Sequence, residues 1–167
     1  MNAAYEKLIQ HLDEHNVRYL TGGDSQSICA DFRGEVGTYR IIAQVESENE
    51  LFQVFGLSPV RVPEGCRPAI AETIARANYG LRVGKLEMDM DDGELRFQVA
   101  QILADDNLDG SVIHRLIGTA MGMLDRYLPA ILSVIYGNEL PKDAIRCADA
   151  ACSGSGETGT GERGVND

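Results

Sequence analysis

Lys85-Leu86-Glu87-Met88-Asp89-Met90-Asp91-Asp92-Gly93-Glu94-Leu95-Arg96-Phe97-Gln98-Val99 is the stretch that decides the fold class. Leu86, Met88 and Met90 alternate with charged residues, Asp92-Gly93 has the composition of a two-residue type I′ turn, and Leu95, Phe97 and Val99 resume the alternation. About that turn Met90 faces Leu95, Met88 faces Phe97, Leu86 faces Val99 and Asp89 faces Arg96, so polarity agrees at every rung. The expectation is an antiparallel hairpin with one apolar face.

Upstream, Pro63 and Pro68 introduce a helical pattern in which Ile70, Ile74 and Ala77 form the apolar stripe, and Gly80 is placed for a left-handed stop. Before that the period is two. Ile28, Ala30 and Phe32 alternate with polar residues, Gly34-Glu35-Val36-Gly37 turns the chain, Tyr39, Ile41, Ala43 and Val45 alternate again, and Phe52 and Val54 follow a polar loop. Placing Arg33 opposite Thr38 sets Phe32 against Tyr39, Asp31 against Arg40 and Ala30 against Ile41, and a slip of one residue destroys the match. At the start, Asn2 can cap a helix whose Tyr5, Leu8, Ile9 and Leu12 share a face. Downstream, a helical pattern runs from Val112 to Ile135, with Pro129 expected to kink or split it. The order α-β-β-β-α-β-β-α predicts an α+β domain over residues 1–147 with an antiparallel sheet of about five strands. Residues 148–167 end in Gly, Ser, Thr and Glu with Val165 as the only large apolar side chain after Ser153, and are expected to form a disordered tail.

Ala77-Asn78-Tyr79-Gly80, Gly84-Lys85-Leu86-Glu87-Met88-Asp89, Asp92-Gly93-Glu94-Leu95-Arg96-Phe97 and Leu124-Asp125-Arg126-Tyr127-Leu128-Pro129-Ala130-Ile131, with Val134-Ile135-Tyr136-Gly137 after it, resemble the YbjN family. The resemblance covers Met1 to Gly137 in element order and is residue-specific from Arg67 onward. It implies a type III secretion chaperone-like fold and an acidic, dimeric binding module. It carries over no catalytic residue, and Asn78, Gly84, Gly93, Asp125 and Pro129 read as turn and cap chemistry.

Composition narrows the partners. The chain has 167 residues, with 15 Lys and Arg against 26 Asp and Glu, a formal net charge of −11 that repels nucleic acid and anionic lipid. Cys29, Cys66, Cys147 and Cys152 form no C-x-x-C pair, and neither a secretory leader nor an apolar run of membrane length is present, so reduced thiols and a cytoplasmic location are expected. No nucleophile elbow, phosphate loop or dinucleotide motif occurs, and no catalytic residue, cofactor or metal is expected.

Three patterns could suggest a metal. Asp105-x-Asn107-x-Asp109-Gly110 supplies the first half of a calcium loop, but the twelfth position, which needs a bidentate carboxylate, is Leu116. Its alternative role is a strand-to-helix loop in which Asp109 or Ser111 caps the last helix. A calcium- or metal-responsive regulator using Asp105 to Gly110 is the rival function. His11 and His15 stand at i, i+4 with no third ligand near in sequence, and the acidic residues Glu87, Asp89 and Asp91 belong to a solvated hairpin face. Gly118-x-x-x-Gly122 is expected to let the last helix approach its sheet or a partner.

One face departs from what alternation demands. Cys29, Ile42, Leu51, Phe55, Leu57, Ala100 and Ile102 lie opposite the main apolar pattern, where a solvated sheet face is polar. Either the segment after Gly137, through Leu140 and Ile145, covers them, or a second subunit or ligand does. The resulting expectation is a non-catalytic, homodimeric protein-binding or chaperone-like module. It would hold a protein client on Ile42, Phe55 and Leu57, its acidic rim favouring basic clients.

Overall fold

The computed structural model describes residues 2–23, 25–48, 50–104 and 108–153. Helix α1 (Ala3–Glu14) starts where the Asn2 side chain accepts from the Ala4 N–H, and it buries Tyr5, Leu8 and Leu12. A short strand β1 (Leu20–Thr21) precedes the meander β2 (Ser27–Arg33), β3 (Thr38–Glu46) and β4 (Leu51–Leu57). Then come α2 (Arg67–Asn78), β5 (Lys85–Met88), β6 (Leu95–Ile102), α3 (Gly110–Tyr136) and α4 (Pro141–Ser153). The strands form one antiparallel sheet in the order β1-β2-β3-β4-β6-β5.

The α+β class and the order of the long elements are as expected, with β1 and α4 as additions. β1 has two residues, too few for alternation to register. α4 is rich in alanine, so only Ala144 and Ile145 mark its buried side. Residues 148–153, assigned by composition to the tail, continue α4, while 154–167 lie outside the described residues.

Alternate residues of the strands, among them Ile28, Tyr39, Ile41, Phe52, Val54, Phe97 and Val99, are at most 1% exposed and build the core. Each such side chain contributes about 1.5–3 kcal/mol relative to leaving it wet, which fixes the face the helices cover. α1, α2 and α3 contact the sheet, and α4 packs on α2 and α3. α3 lies close against Gly56 of β4, where a Cβ would stand 2.9 Å from Leu124. Gly118 and Gly122 meet nothing within 4 Å, so the expected close approach to the sheet is made by a different glycine. α3 is continuous through Pro129, on its exposed side, and is not split there.

The first hairpin has the expected register, with Arg33 opposite Thr38, Asp31 opposite Arg40 and Ala30 opposite Ile41. The second does not. Leu86 faces Phe97, Glu87 faces Arg96 and Met88 faces Leu95, two residues from the expected pairing. A two-residue slip keeps every side chain on its face, so alternation cannot detect it. The turn makes the difference: Gly93 has φ +76° but Asp92 does not adopt the positive φ that a type I′ turn requires there. Instead residues 89–94 form a wider loop, closed where Gly93 N–H donates to the Asp89 carbonyl, and Met90 turns outward at 52% exposure.

Candidate docking face

The site is the sheet face away from the helices. Cross-strand partners line up in rows there. Leu20, Cys29, Ile42 and Phe55 form one row across β1 to β4, continued by Gln98 and Lys85. The next row is Asp31, Arg40, Leu57, Arg96 and Glu87. On the other side lie Ser27, Gln44, Gln53 and Ala100, then Glu46, Leu51 and Ile102. Ile42, Phe55 and Leu57 are half-buried on this face, whereas Leu20 is 75% and Ile102 71% exposed.

The charged residues are organised around the apolar ones. The Arg96 guanidinium lies 4.5 Å from the Phe55 ring centroid, a cation–π contact, and its Nε donates to Glu87 at 2.9 Å. Lys85 Nζ meets the other Glu87 oxygen at 3.0 Å. Burial pushes Glu87 upward, but the hydrogen bonds from Lys85 and Arg96 outweigh it and hold the carboxyl below its ordinary range. Arg40 donates from Nε to Asp31 at 3.0 Å, and that bond keeps Asp31 low as well. Beside Leu20 the face dips into a cavity of about 330 Å³ lined by Arg18, Cys29, Asp31 and Arg40 among others.

Nothing described of this chain covers the face. The segment after Gly137 packs on the helix side, where α4 buries Ile145 to 6% exposure between α2 and α3, and Leu140 stays 67% exposed. Of the two covers considered, the one by Leu140 and Ile145 is therefore not formed.

Other candidates are placed by the same geometry. Asp109 caps α3, its Oδ1 accepting from the Ser111 and Val112 N–H groups, and these bonds, with the Ser111 hydroxyl first among them, hold its carboxyl low. Asp105 and Asn107 lie outside the described residues, and Leu116 is buried at 8%. His114 joins His11 and His15 at the junction of α1 and α3, a grouping that sequence distance conceals. Among the described residues no three His, Cys, Asp or Glu side chains form a metal-ligating group, and the four cysteines are free thiols. Asp125 is structural, because its carboxylate accepts from the Glu35 and Val36 N–H groups and, at 2.6 Å, from the Tyr39 hydroxyl, tying the first hairpin's turn to α3. No helix of the described residues is long and apolar enough to cross a membrane.

The fold has relatives. YbjN of E. coli, whose crystal structure is described as that of a putative transcription regulator, superposes with a TM-score of 0.52 at 13% identity over 71% of this chain and 83% of its own. The HopA1-SchA chaperone-effector complex contains a chain that aligns at TM-score 0.48 and 13% identity, covering 73% of this chain and 91% of that one. No curated protein sequence matches significantly. The profile of the YbjN family, whose description reads "putative bacterial sensory transduction regulator", matches residues 4–133, most of the length, and the chain belongs to the YbjN family.

Proposed function

We propose that this protein is a non-catalytic, homodimeric polypeptide-binding module of the cytoplasm, with Ile42, Phe55 and Leu57 as its client contacts. One observation carries the reading: an apolar row crosses a sheet face that none of the four helices covers. A binding surface of this kind needs an aromatic or aliphatic anchor ringed by polar groups, and Phe55 beneath Arg96 has that form. The two regulatory descriptions in the family suit a protein that acts by binding.

Photo-crosslinking from position 55 in the native host tests the contact surface, with position 118 on the exposed side of α3 as control. Adducts to another polypeptide from 55 and not from 118 are expected; their absence overturns the reading. Phe55→Asp is expected to weaken adduct formation strongly, because truncating a binding anchor commonly costs about 2 kcal/mol or more. Its melting temperature should stay near that of the parent protein. Light scattering after size exclusion is expected to return twice the 18.2 kDa chain mass, and a monomer mass removes the dimer from the proposal.

A further inference from the structure

The chemistry of the open face says more about its occupant than that it is a polypeptide. The row Leu20, Cys29, Ile42, Phe55 runs across the strands, so its side chains repeat at the strand spacing of about 4.8 Å. A helix carrying apolar residues at i, i+3 or i+4, i+7 and i+11 repeats along its axis at about 5.5 Å, which drifts from that row by only about 2 Å over all four strands. An extended segment repeats same-side residues at about 6.6–6.8 Å and loses step after one strand.

Charge selects among helices. The chain is formally −11, yet on this face and its edges Arg18, Arg33, Arg40, Lys85 and Arg96 stand against Asp31, Glu46, Glu87 and Glu94, the last 4.0 Å from Arg96. Glu87 is shared between Lys85 and Arg96, and the cavity at the Leu20 end of the row brings Arg18 beside Arg40. At physiological ionic strength a ligand on the face feels charges within about 8 Å far more than the acidic surface elsewhere. At the Leu20 end, where Arg18 and Arg40 stand against the single carboxylate of Asp31, the local charge is cationic and opposes that of the chain as a whole.

We propose that this face binds an acidic amphipathic helix laid across the strands, its apolar stripe on Leu20, Ile42 and Phe55 and its carboxylates beside Arg18, Arg40 and Arg96. This rests on the reading of the face as the docking surface, and it reverses the preference for basic clients that net charge alone suggests.

The test uses the full chain and three labelled peptides of about 18 residues, enough for five helical turns. One has Leu at i, i+4, i+7 and i+11 among Glu residues, the second has Lys in place of Glu, and the third is the Glu peptide broken by a central Pro. Fluorescence anisotropy is expected to show the Glu helix binding about 10-fold or more tighter than the Lys helix at low salt, the ratio narrowing as salt rises. The Pro peptide should bind at least about 10-fold more weakly than its parent. Leu20→Glu, at a position already 75% exposed and so harmless to folding, is expected to weaken the Glu helix about 10-fold, and Phe55→Asp at least as much. Arg40→Glu combined with Arg96→Glu should invert the charge preference.

A Lys helix that binds as well as the Glu helix overturns the charge assignment, and a Pro peptide that binds undiminished overturns the helix. If no peptide binds at millimolar concentration the proposal fails, while crosslinks from position 55 to another polypeptide would keep the docking face itself standing. Crosslinks from position 55 to a second copy alone would show that the face is a dimer interface and overturn both readings.

Discussion

The two hairpins of this sheet look alike in sequence and were built to different rules. In β2 and β3 the chain turns through Gly34 to Gly37, with Gly34 N–H donating to the Gly37 carbonyl, and the pairing that polarity suggests is the pairing found. In β5 and β6 the polarity argument is equally good, yet the strands pair two residues away from it. Two registers separated by two residues give the same in-and-out pattern, so the choice falls to whatever holds the turn. For the first hairpin that is α3, through Asp125. For the second it is the start of α2 and the segment before it, where Arg67 donates to the Met90 and Asp91 carbonyls at 3.1 and 3.0 Å and Arg61 meets Asp92 at 2.6 Å. The wide loop satisfies its own backbone too, since Asp89 accepts from the Asp91 N–H and Asp92 from the Glu94 N–H.

The largest expected effect therefore comes from Asp125. Its carboxylate accepts two hydrogen bonds from the β2–β3 turn and a third from Tyr39 of β3, and Asp125→Ala leaves the Tyr39 hydroxyl, on a residue 0% exposed, without that partner. Charge-assisted bonds and an unsatisfied buried donor together predict a loss of about 2–4 kcal/mol in urea unfolding. Burial alone would raise the carboxyl, but the bonds from Tyr39, Glu35 and Val36 win and hold it below its ordinary value. The unfolded chain then binds a proton more readily than the folded one. The stability from this group is fully present above the ordinary pKa of about 3.9 and is lost as pH falls through the lower folded value. Asp125→Asn should lower stability at neutral pH and flatten the acid end of the pH profile; an unchanged acid limb would show that other carboxylates set it.

Gly93 sharpens the other half of the comparison. A Cβ there would run into the Val62 carbonyl oxygen at φ +76°, whereas at Gly80, with φ +90°, nothing stands within 4 Å. Gly93→Ala is expected to cost about 2–3 kcal/mol, combining backbone strain with displacement of the loop from Val62, and Gly80→Ala about 1 kcal/mol from strain alone. Equal losses in chemical denaturation would mean that the loop does not depend on its contact with residue 62.

How much of this was legible in the chain follows the same division. The meander, the buried faces and the order of the long elements were readable because each repeats a period over five or more residues. β1 was not, because two residues carry no period, and α4 was not, because its apolar face at Ala144, Ile145 and Ala148 holds one large side chain and runs into a tail of small residues. The open apolar face was visible as a violation of alternation at Ile42, Phe55 and Leu57, but whether Leu140 and Ile145 covered it depended on where α4 packs, a tertiary fact. That this face does not share the net charge of −11 was hidden, since composition sums over surfaces that the register separates. The convergence of His114 on His11 and His15 was hidden in the same way, by roughly a hundred residues of intervening chain.

Removing the clamp rather than the turn should have a smaller effect. Arg67→Met keeps the aliphatic stem and deletes the bonds to Met90 and Asp91, which water can replace in an exposed loop. A loss of about 1 kcal/mol is expected, together with faster amide exchange in residues 90–93 than in β5 and β6. Exchange left unchanged in residues 90–93 would mean that Arg67 does not hold the turn.

The smallest effect belongs to the ion pair that looked most diagnostic in the first hairpin. Asp31 and Arg40 face each other in the expected register and bond at 3.0 Å, with side chains 53% and 60% exposed. The Arg40 bond lowers the Asp31 carboxyl below its ordinary range, and solvent screens the gain. Register is held instead by the neighbours on the other face, Ala30 at 4% and Ile41 at 0% exposure, which a one-residue slip would turn out into water. Asp31→Asn should therefore leave the melting temperature unchanged within error at pH 7 and leave the cross-strand amide contacts between residues 30 and 41 intact by nuclear Overhauser measurement. A clear drop in melting temperature, or loss of those contacts, would show that the exposed charges and not the buried rungs choose the pairing.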